Sequence, residues 1–155
     1  MHRSNQGFTL LEVLVVLAII AILMGIFGVN LIRSIRTAEL REAATQIATD
    51  FRRARSQAQR GSMDIVLVLP GSGGGKVYKV DTVEKVLPNS VQVICKTTCG
   101  SGTTTNVTYQ APYGELGAGA TGSVYTVRSP MSGINDLEIR IVGVTGKVIL
   151  TKAGS

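Results

Sequence analysis

The stretch Gln6-Gly7-Phe8-Thr9-Leu10-Leu11-Glu12 leads directly into the apolar run VLVVLAIIAILMGIF at residues 13–27. No charged residue interrupts this run, and with its flanks it supplies the ~20 mainly apolar positions of a membrane-spanning helix. Glu12 is thus a lone carboxylate at the start of a predicted membrane helix. Because a charge at such a depth is energetically costly, residues of this kind usually have a function.

The apolar segment is predicted to remain in the protein as a membrane anchor. A secretory signal peptide would have a shorter apolar core followed by a small-residue cleavage site, whereas this chain continues into charged, helix-forming sequence. The positive charges do not decide the orientation in the membrane, since Arg3 precedes the segment and Arg33, Arg36 and Arg41 follow it.

The helix is predicted to continue beyond the membrane segment to Arg60, with Gly61 as its stop. The first proline of the sequence is Pro70, so nothing breaks the helix earlier. We expect this second half to be amphipathic and to pack through its apolar face on one face of a sheet, with Asp50 among the polar residues on the other positions. The residues of the apolar face recur at spacings of three and four: Leu40, Ala44, Ile47, Phe51, Ala54 and Ala58.

The remainder of the chain has the pattern of β-strands and turns. The predicted strands are 63–69, 76–80, 91–95, 106–110, 123–128, 137–142 and 147–151. The last two form a hairpin with its turn at 143–146, and residues 114–122 are expected to form a mobile loop. The fold class is therefore α+β, with a long N-terminal helix, half transmembrane and half amphipathic, packed on a small antiparallel β domain.

Cys95 and Cys99 are predicted to form a disulfide. A metal site usually needs more ligands, and the one histidine of the sequence is His2. In an oxidising compartment, a disulfide of this spacing would pin a short loop or a hairpin.

Enzymatic chemistry has no support in the sequence. No nucleophile is paired with a base and no acid–base cluster is evident, so we expect no catalytic residue, cofactor or metal. The Gly-rich loop at 70–75 resembles a phosphate-binding loop, but Pro70 and Val77 stand where that motif requires glycine and Ser or Thr. An anchored enzyme is thus the least favoured interpretation.

The sequence is compatible with two roles of Glu12. The carboxylate can lie among the lipid headgroups without a specific partner. Alternatively, if the chain is cut after Gly7, Phe8 gains an α-amine with a pKa of about 8. That cation could pair with Glu12 of a neighbouring subunit and fix the stagger between the two helices.

These residues resemble the class III signal of type IV pilins and type II secretion pseudopilins. The resemblance consists of a short polar leader with Arg3, a glycine at Gly7, the sequence Phe8-Thr9-Leu10-Leu11-Glu12-Val13 and an unbroken apolar helix. It implies that a prepilin peptidase cuts between Gly7 and Phe8 and methylates the new amine of Phe8. The role of Glu12 is then in filament assembly.

The segment FRRARSQA at 51–58 and the C-terminal hairpin are similar to the GspH/FimT branch of minor pilins and pseudopilins. Many pilins carry a proline where Val29 stands here, so melting of the helix during assembly is not implied. The resemblance implies a structural subunit of a type IV pilus or a type II secretion pseudopilus, and the similarity to this branch implies a minor one.

The resemblance divides the chain into a leader (1–7), a transmembrane and filament-core helix (8–32), an amphipathic half-helix (33–60) and a β domain (61–155). It places the protein in the bacterial inner membrane, with the β domain in the periplasm or otherwise outside the cytoplasm, and then in the filament. The implied partners are other pilin or pseudopilin subunits, the prepilin peptidase, the inner-membrane assembly machinery and, before assembly, membrane lipid.

The alternative function is DNA binding during uptake. The formal net charge is +6, and a basic excess favours nucleic acid or an anionic membrane surface, although it also occurs on ordinary soluble surfaces. The candidate DNA contacts are Arg52, Arg53, Arg55, Arg60, Lys147 and Lys152.

Overall fold

A computed structural model describes residues 9–100 and 102–154 of the chain. Its α-helix, α1, spans Leu10–Gly61. The chain divides into two compact units, Met1–Ile35 and Arg36–Ser155. The first unit holds the apolar part of α1, and the second holds the rest of the helix together with the described strands.

The described part of the chain contains nine strands after the helix. They are β1 Ile65–Pro70, β2 Val77–Val80, β3 Val83–Val86, β4 Gln92–Thr97, β5 Thr104–Gln110, β6 Glu115–Leu116, β7 Val124–Arg128, β8 Leu137–Val142 and β9 Lys147–Lys152. They form a five-stranded sheet in the order β3-β2-β1-β5-β6 and a four-stranded sheet in the order β4-β7-β8-β9. All of the pairings are antiparallel, which confirms the predicted fold class.

Alternating burial explains why these segments form strands with one face on the core. In β5, Thr105, Val107 and Tyr109 are buried, whereas Thr104 and Asn106 are exposed. The strand thus contributes every second side chain to the interior and leaves the others in water.

The apolar face predicted for the second half of α1 is buried in the second unit. Leu40, Ile47 and Phe51 are at most 1% exposed. The expectation of a single supporting sheet is wrong, because the helix contacts both sheets. The ring of Phe51 lies 6.2 Å from that of Tyr125 in the four-stranded sheet, and Gln46 donates to the hydroxyl of Tyr78 in the five-stranded sheet.

Asp50, which the sequence places outside the apolar face of α1, is nevertheless buried. Its carboxylate accepts a hydrogen bond of 2.6 Å from the Tyr78 hydroxyl and one of 2.6 Å from the Lys85 ammonium. Burial, together with the bond to Asp50 and its charge, raises the pKa of Tyr78. These contacts satisfy the carboxylate and fix the helix on β2 and β3, since a buried charge needs such partners.

Several strand boundaries differ from the sequence prediction. Strand β3 was not predicted, and Glu115 and Leu116 form β6 inside the expected mobile loop. Next to β6, Gly114 has a φ of +64°, and a Cβ there would lie 2.8 Å from Gln59 and 3.0 Å from Arg55. A glycine is required because this turn packs directly on the helix.

Glu138 on β8 is 1% exposed and lies between two cations. Its carboxylate accepts hydrogen bonds of 2.7 Å from Lys96 and 2.8 Å from Arg140. The bonds from Lys96 and Arg140 lower the pKa of the Glu138 carboxyl group, against the opposing effect of burial. The charged form is therefore the one that the folded protein favours.

The Glu138 ion pairs predict a loss of stability in acid. The folded-state pKa lies below the ordinary value of 4.5, so the stabilisation is complete above that value and is lost as pH falls through the folded-state pKa. We expect Glu138→Gln to lower the thermal midpoint at neutral pH and to flatten its fall between pH ~5 and pH ~2. Thermal unfolding followed by circular dichroism across this range measures both effects, and an unchanged acid dependence in the variant would refute the assignment.

Candidate functional site

The residues around Glu12 form the first turn of α1. The Glu12 amide donates to the carbonyl of Thr9 at 3.1 Å and to its hydroxyl at 3.3 Å. Thr9 therefore caps the helix, and Thr9-Leu10-Leu11-Glu12 has the spacing of a capping box. A carboxylate in this turn also complements the positive end of the helix dipole.

The Glu12 carboxylate is exposed and forms no ion pair with residues 9–100 or 102–154. The predicted cleavage and methylation positions, Gly7 and Phe8, lie outside the described residues. The site as described thus contains the acid of the expected ion pair, held at a helix start.

The helix that carries Glu12 presents apolar side chains in all directions within the first unit. Leu10 is 81% exposed, Met24 is 70% exposed and Phe27 is 69% exposed. An 18-residue window of the helix has a mean hydropathy of 3.0 and is not buried by the rest of the chain. Since such a surface is unfavourable in water, it is suited to lipid or to packing against other helices.

Five of the six candidate DNA contacts lie on two separate basic surfaces. Arg53 and Arg60 are seven residues apart and lie on the same side of α1, where they line a groove with Lys85. Arg52 and Arg55 lie on a different side and line a depression of about 450 Å³ together with Lys147. Lys152 is at the far end of β9 and lines neither of the two.

We name the depression lined by Arg52, Arg55, Gly146 and Lys147 the hairpin surface. Gly146 has a φ of +63°, and a Cβ there would lie 2.5 Å from the ring of Tyr109. A glycine is therefore needed for the β8–β9 turn to approach this ring and bring Lys147 beside α1. The Tyr109 hydroxyl donates to the carbonyl of Gly146 at 3.1 Å.

The positive charge of Arg55 acts on the Tyr109 hydroxyl group beside the hairpin surface. Burial raises the pKa of Tyr109 to about 12, and the positive charge of Arg55 lowers it in part. The Arg55 Nε atom is buried and has no hydrogen-bond acceptor among the described residues.

Cys95 and Cys99 are joined by a disulfide with a Cα–Cα distance of 5.7 Å. Cys95 is buried in β4, and Cys99 lies just beyond the end of that strand. The bond closes the irregular end of β4, where the pairing with β7 shifts between Cys95 and Thr97. In residues 9–100 and 102–154, no three His, Cys, Asp or Glu side chains lie close enough to hold a metal ion.

The Gly-rich loop between β1 and β2 has a structural use for its amide groups. The amide of Gly71 donates to Thr103, that of Gly74 to Gly71 and that of Gly75 to Val93. A phosphate-binding loop directs such amides at its ligand. In this loop all three amides are instead used within the fold: Gly71 bonds to the residue before β5, Gly74 closes the turn and Gly75 bonds to β4 of the other sheet.

Comparison with known proteins agrees with both the N-terminal sequence and the fold. Residues 2–28 match the family described as prokaryotic N-terminal methylation motif. No curated protein matches the chain in sequence.

Two crystal structures of the type IV minor pilin FimU from Pseudomonas aeruginosa are similar in fold. One, in space group P21, is 15% identical, with a TM-score of 0.59 over 76% of this chain and 95% of FimU. The other, in P65, is 14% identical, with a TM-score of 0.56 over 74% and 98%. At these identities the likeness establishes the fold.

The motif and the fold point to the same kind of protein. The apolar helix and the methylation motif that overlaps it together indicate membrane anchoring. The chain thus resembles type IV pilins in two respects: the methylation motif at residues 2–28, and a fold similar to that of a minor pilin.

Proposed function

We propose that the chain is a minor subunit of a type IV pilus or a type II secretion pseudopilus. The observation that carries the proposal is the exposed apolar helix, with Glu12 as the one carboxylate at its start and the methylation motif around it. Minor status is supported by the FimU-like fold and by the FRRARSQA segment at 51–58.

The proposed cycle begins in the inner membrane. A prepilin peptidase removes residues 1–7 and methylates Phe8, residues 8–32 hold the protein in lipid, and the β domain (61–155) lies outside the cytoplasm. The assembly machinery then moves the helix from lipid into a bundle of like helices. Residues 33–60 link the bundle to the β domain.

The proposed role of Glu12 is to pair with the Phe8 amine of a neighbouring subunit. Removing two charges from water is costly unless each finds the other, so the pairing would favour one stagger between neighbours over all others. The described geometry supports this role, because Thr9 caps the helix start without using the Glu12 carboxylate.

Shear fractionation of the native cells tests the proposed function. We expect the chain in the membrane fraction and, together with other pilin-like subunits, in the sheared filament fraction. A chain that is found in the membrane fraction alone, in cells whose filaments are intact, would contradict the proposal.

DNA binding remains a second candidate function, and the hairpin surface favours it. Lys147 is distant in sequence from Arg52 and Arg55, yet the three line one depression. Arg52 and Lys147 form no ion pair within residues 9–100 and 102–154. Three cations in one footprint suit a phosphate backbone better than a dispersed basic surface does.

A gel-shift series with the full chain in detergent and a duplex oligonucleotide tests the DNA candidate. Three phosphate contacts predict that affinity falls by about 40-fold between ~50 mM and ~200 mM salt. Arg52→Glu with Lys147→Glu should abolish the shift, whereas Arg53→Glu with Arg60→Glu should retain most of it. No shift at the lower salt concentration removes this candidate.

A further inference from the structure

A groove of about 840 Å³ lies where the last turns of α1 meet the β2–β3 hairpin. We name it the helix-end groove. Its apolar lining residues are Met63, Ile65, Val80 and Val83, and its basic lining residues are Arg53, Arg60 and Lys85.

The apolar part of the helix-end groove is open to solvent. Met63 is 66% exposed and Val83 is 57% exposed, although Ile65 and Val80 beneath them are nearly buried. Contiguous apolar surface rimmed by polar groups marks sites of interaction. The groove therefore offers a place for an apolar side chain of a partner.

The basic part of the groove has an excess of positive charge. The ammonium of Lys85 is 2.6 Å from the Asp50 carboxylate, which balances its charge. Arg53 and Arg60 form no ion pair with any residue in the described ranges, and Asp81 is the one carboxylate of the described lining. Two guanidinium groups against one carboxylate attract a further acid.

The groove also borders an unpaired strand edge. Strand β3 is the last strand of the five-stranded sheet, and its Val86 is 64% exposed. The outer backbone groups of an edge strand are available to an added extended chain. The positive charge, the apolar surface and the free strand edge all favour the same kind of ligand, an extended peptide segment that is acidic and partly apolar.

We propose that the helix-end groove binds an extended segment of a neighbouring filament subunit, one that carries carboxylates beside an apolar residue and that adds to the edge of β3. The inference rests on the proposed filament function. DNA fits this groove less well, because DNA interfaces are strongly polar whereas the floor of the groove is apolar.

Photocrosslinking in assembled filaments tests the inference. Val83 is replaced by p-benzoylphenylalanine in the full chain, and Val144, which is 64% exposed on the β8–β9 turn, serves as the control position. After irradiation, sheared filaments are collected and the adducts are mapped by mass spectrometry. We expect the Val83 adduct to contain an acidic, apolar segment of another subunit and the Val144 adduct to lack that segment.

A charge reversal gives a second readout. Arg53→Glu with Arg60→Glu should reduce the Val83 adduct by about tenfold, because like charges across an interface repel, and Arg41→Glu should leave it unchanged. Incorporated wild-type protein without a Val83 adduct, or with an adduct to DNA or to a segment without acids, overturns the inference and leaves the filament function intact. Failure of the wild-type chain to enter filaments overturns both.

Discussion

Glu12→Gln is expected to leave membrane insertion and processing intact and to reduce the amount of the chain in sheared filaments by at least about a hundredfold. Loss of one partner of a buried ion pair typically costs ~3–5 kcal/mol, since the other charge stays buried and unpaired. Each ~1.4 kcal/mol changes an equilibrium constant about tenfold. In the proposed filament, the charge left without a partner is the Phe8 amine of the neighbouring subunit.

The choice of glutamine separates pairing from helix capping. Glutamine fits the third helical position of a capping box as well as glutamate does. Glu12→Gln therefore leaves the helix cap made by Thr9 intact. Shear fractionation with immunoblotting measures incorporation, and Glu42→Gln, at an exposed carboxylate farther along α1, is the matched control. Normal incorporation of Glu12→Gln would contradict the pairing and would leave Glu12 as a carboxylate among the lipid headgroups.

Phe51→Ala is expected to destabilise the second unit by about 3–5 kcal/mol, the usual cost of emptying the site of a buried aromatic ring. The ring is fully buried and packs against Tyr125, so its loss removes contacts between α1 and the four-stranded sheet. Denaturant unfolding of the full chain in detergent, followed by the near-ultraviolet circular dichroism of its tyrosines, measures the change.

Arg52→Ala is the matched control for the core prediction. Arg52 is the next residue along the helix and is exposed, so its truncation should change the free energy of unfolding by no more than about 0.5 kcal/mol. Equal effects of the two substitutions would mean that the apolar face of α1 does not hold the β domain on the helix.

The helix was predictable from the sequence because its physical signals are local. The apolar run is long enough to span a membrane, and the spacing of Leu40, Ile47 and Phe51 repeats with the helical period. The C-terminal hairpin was predictable for the same reason, since alternating residues lie on either side of a glycine-bounded turn.

Strand β3 was missed because it is an edge strand. Its residues Val83–Val86 are half polar and mostly exposed, so they lack the burial that makes a strand pattern visible. The cue was the two-residue connection Asp81-Thr82, in which Asp81 has a φ of +56°. Aspartate favours this conformation at the first position of a tight hairpin turn.

The burial of Asp50 and the division of the basic cluster could not be obtained from sequence in the same way. Asp50 is buried because β2 and β3 bring Tyr78 and Lys85 to it from about 30 residues away. Lys147 joins Arg52 and Arg55 only because the β8–β9 turn packs on Tyr109. Both arrangements depend on sheet topology, which local patterns do not fix.

The most direct test of the account is the intact mass of the protein extracted from native membranes and from sheared filaments. The proposed pairing requires a free, methylated amine on Phe8, so the mature chain should begin at Phe8 and carry one methyl group at its N-terminus. A mature chain that retains residues 1–7 would place the terminal amine away from Glu12 and contradict the central claim.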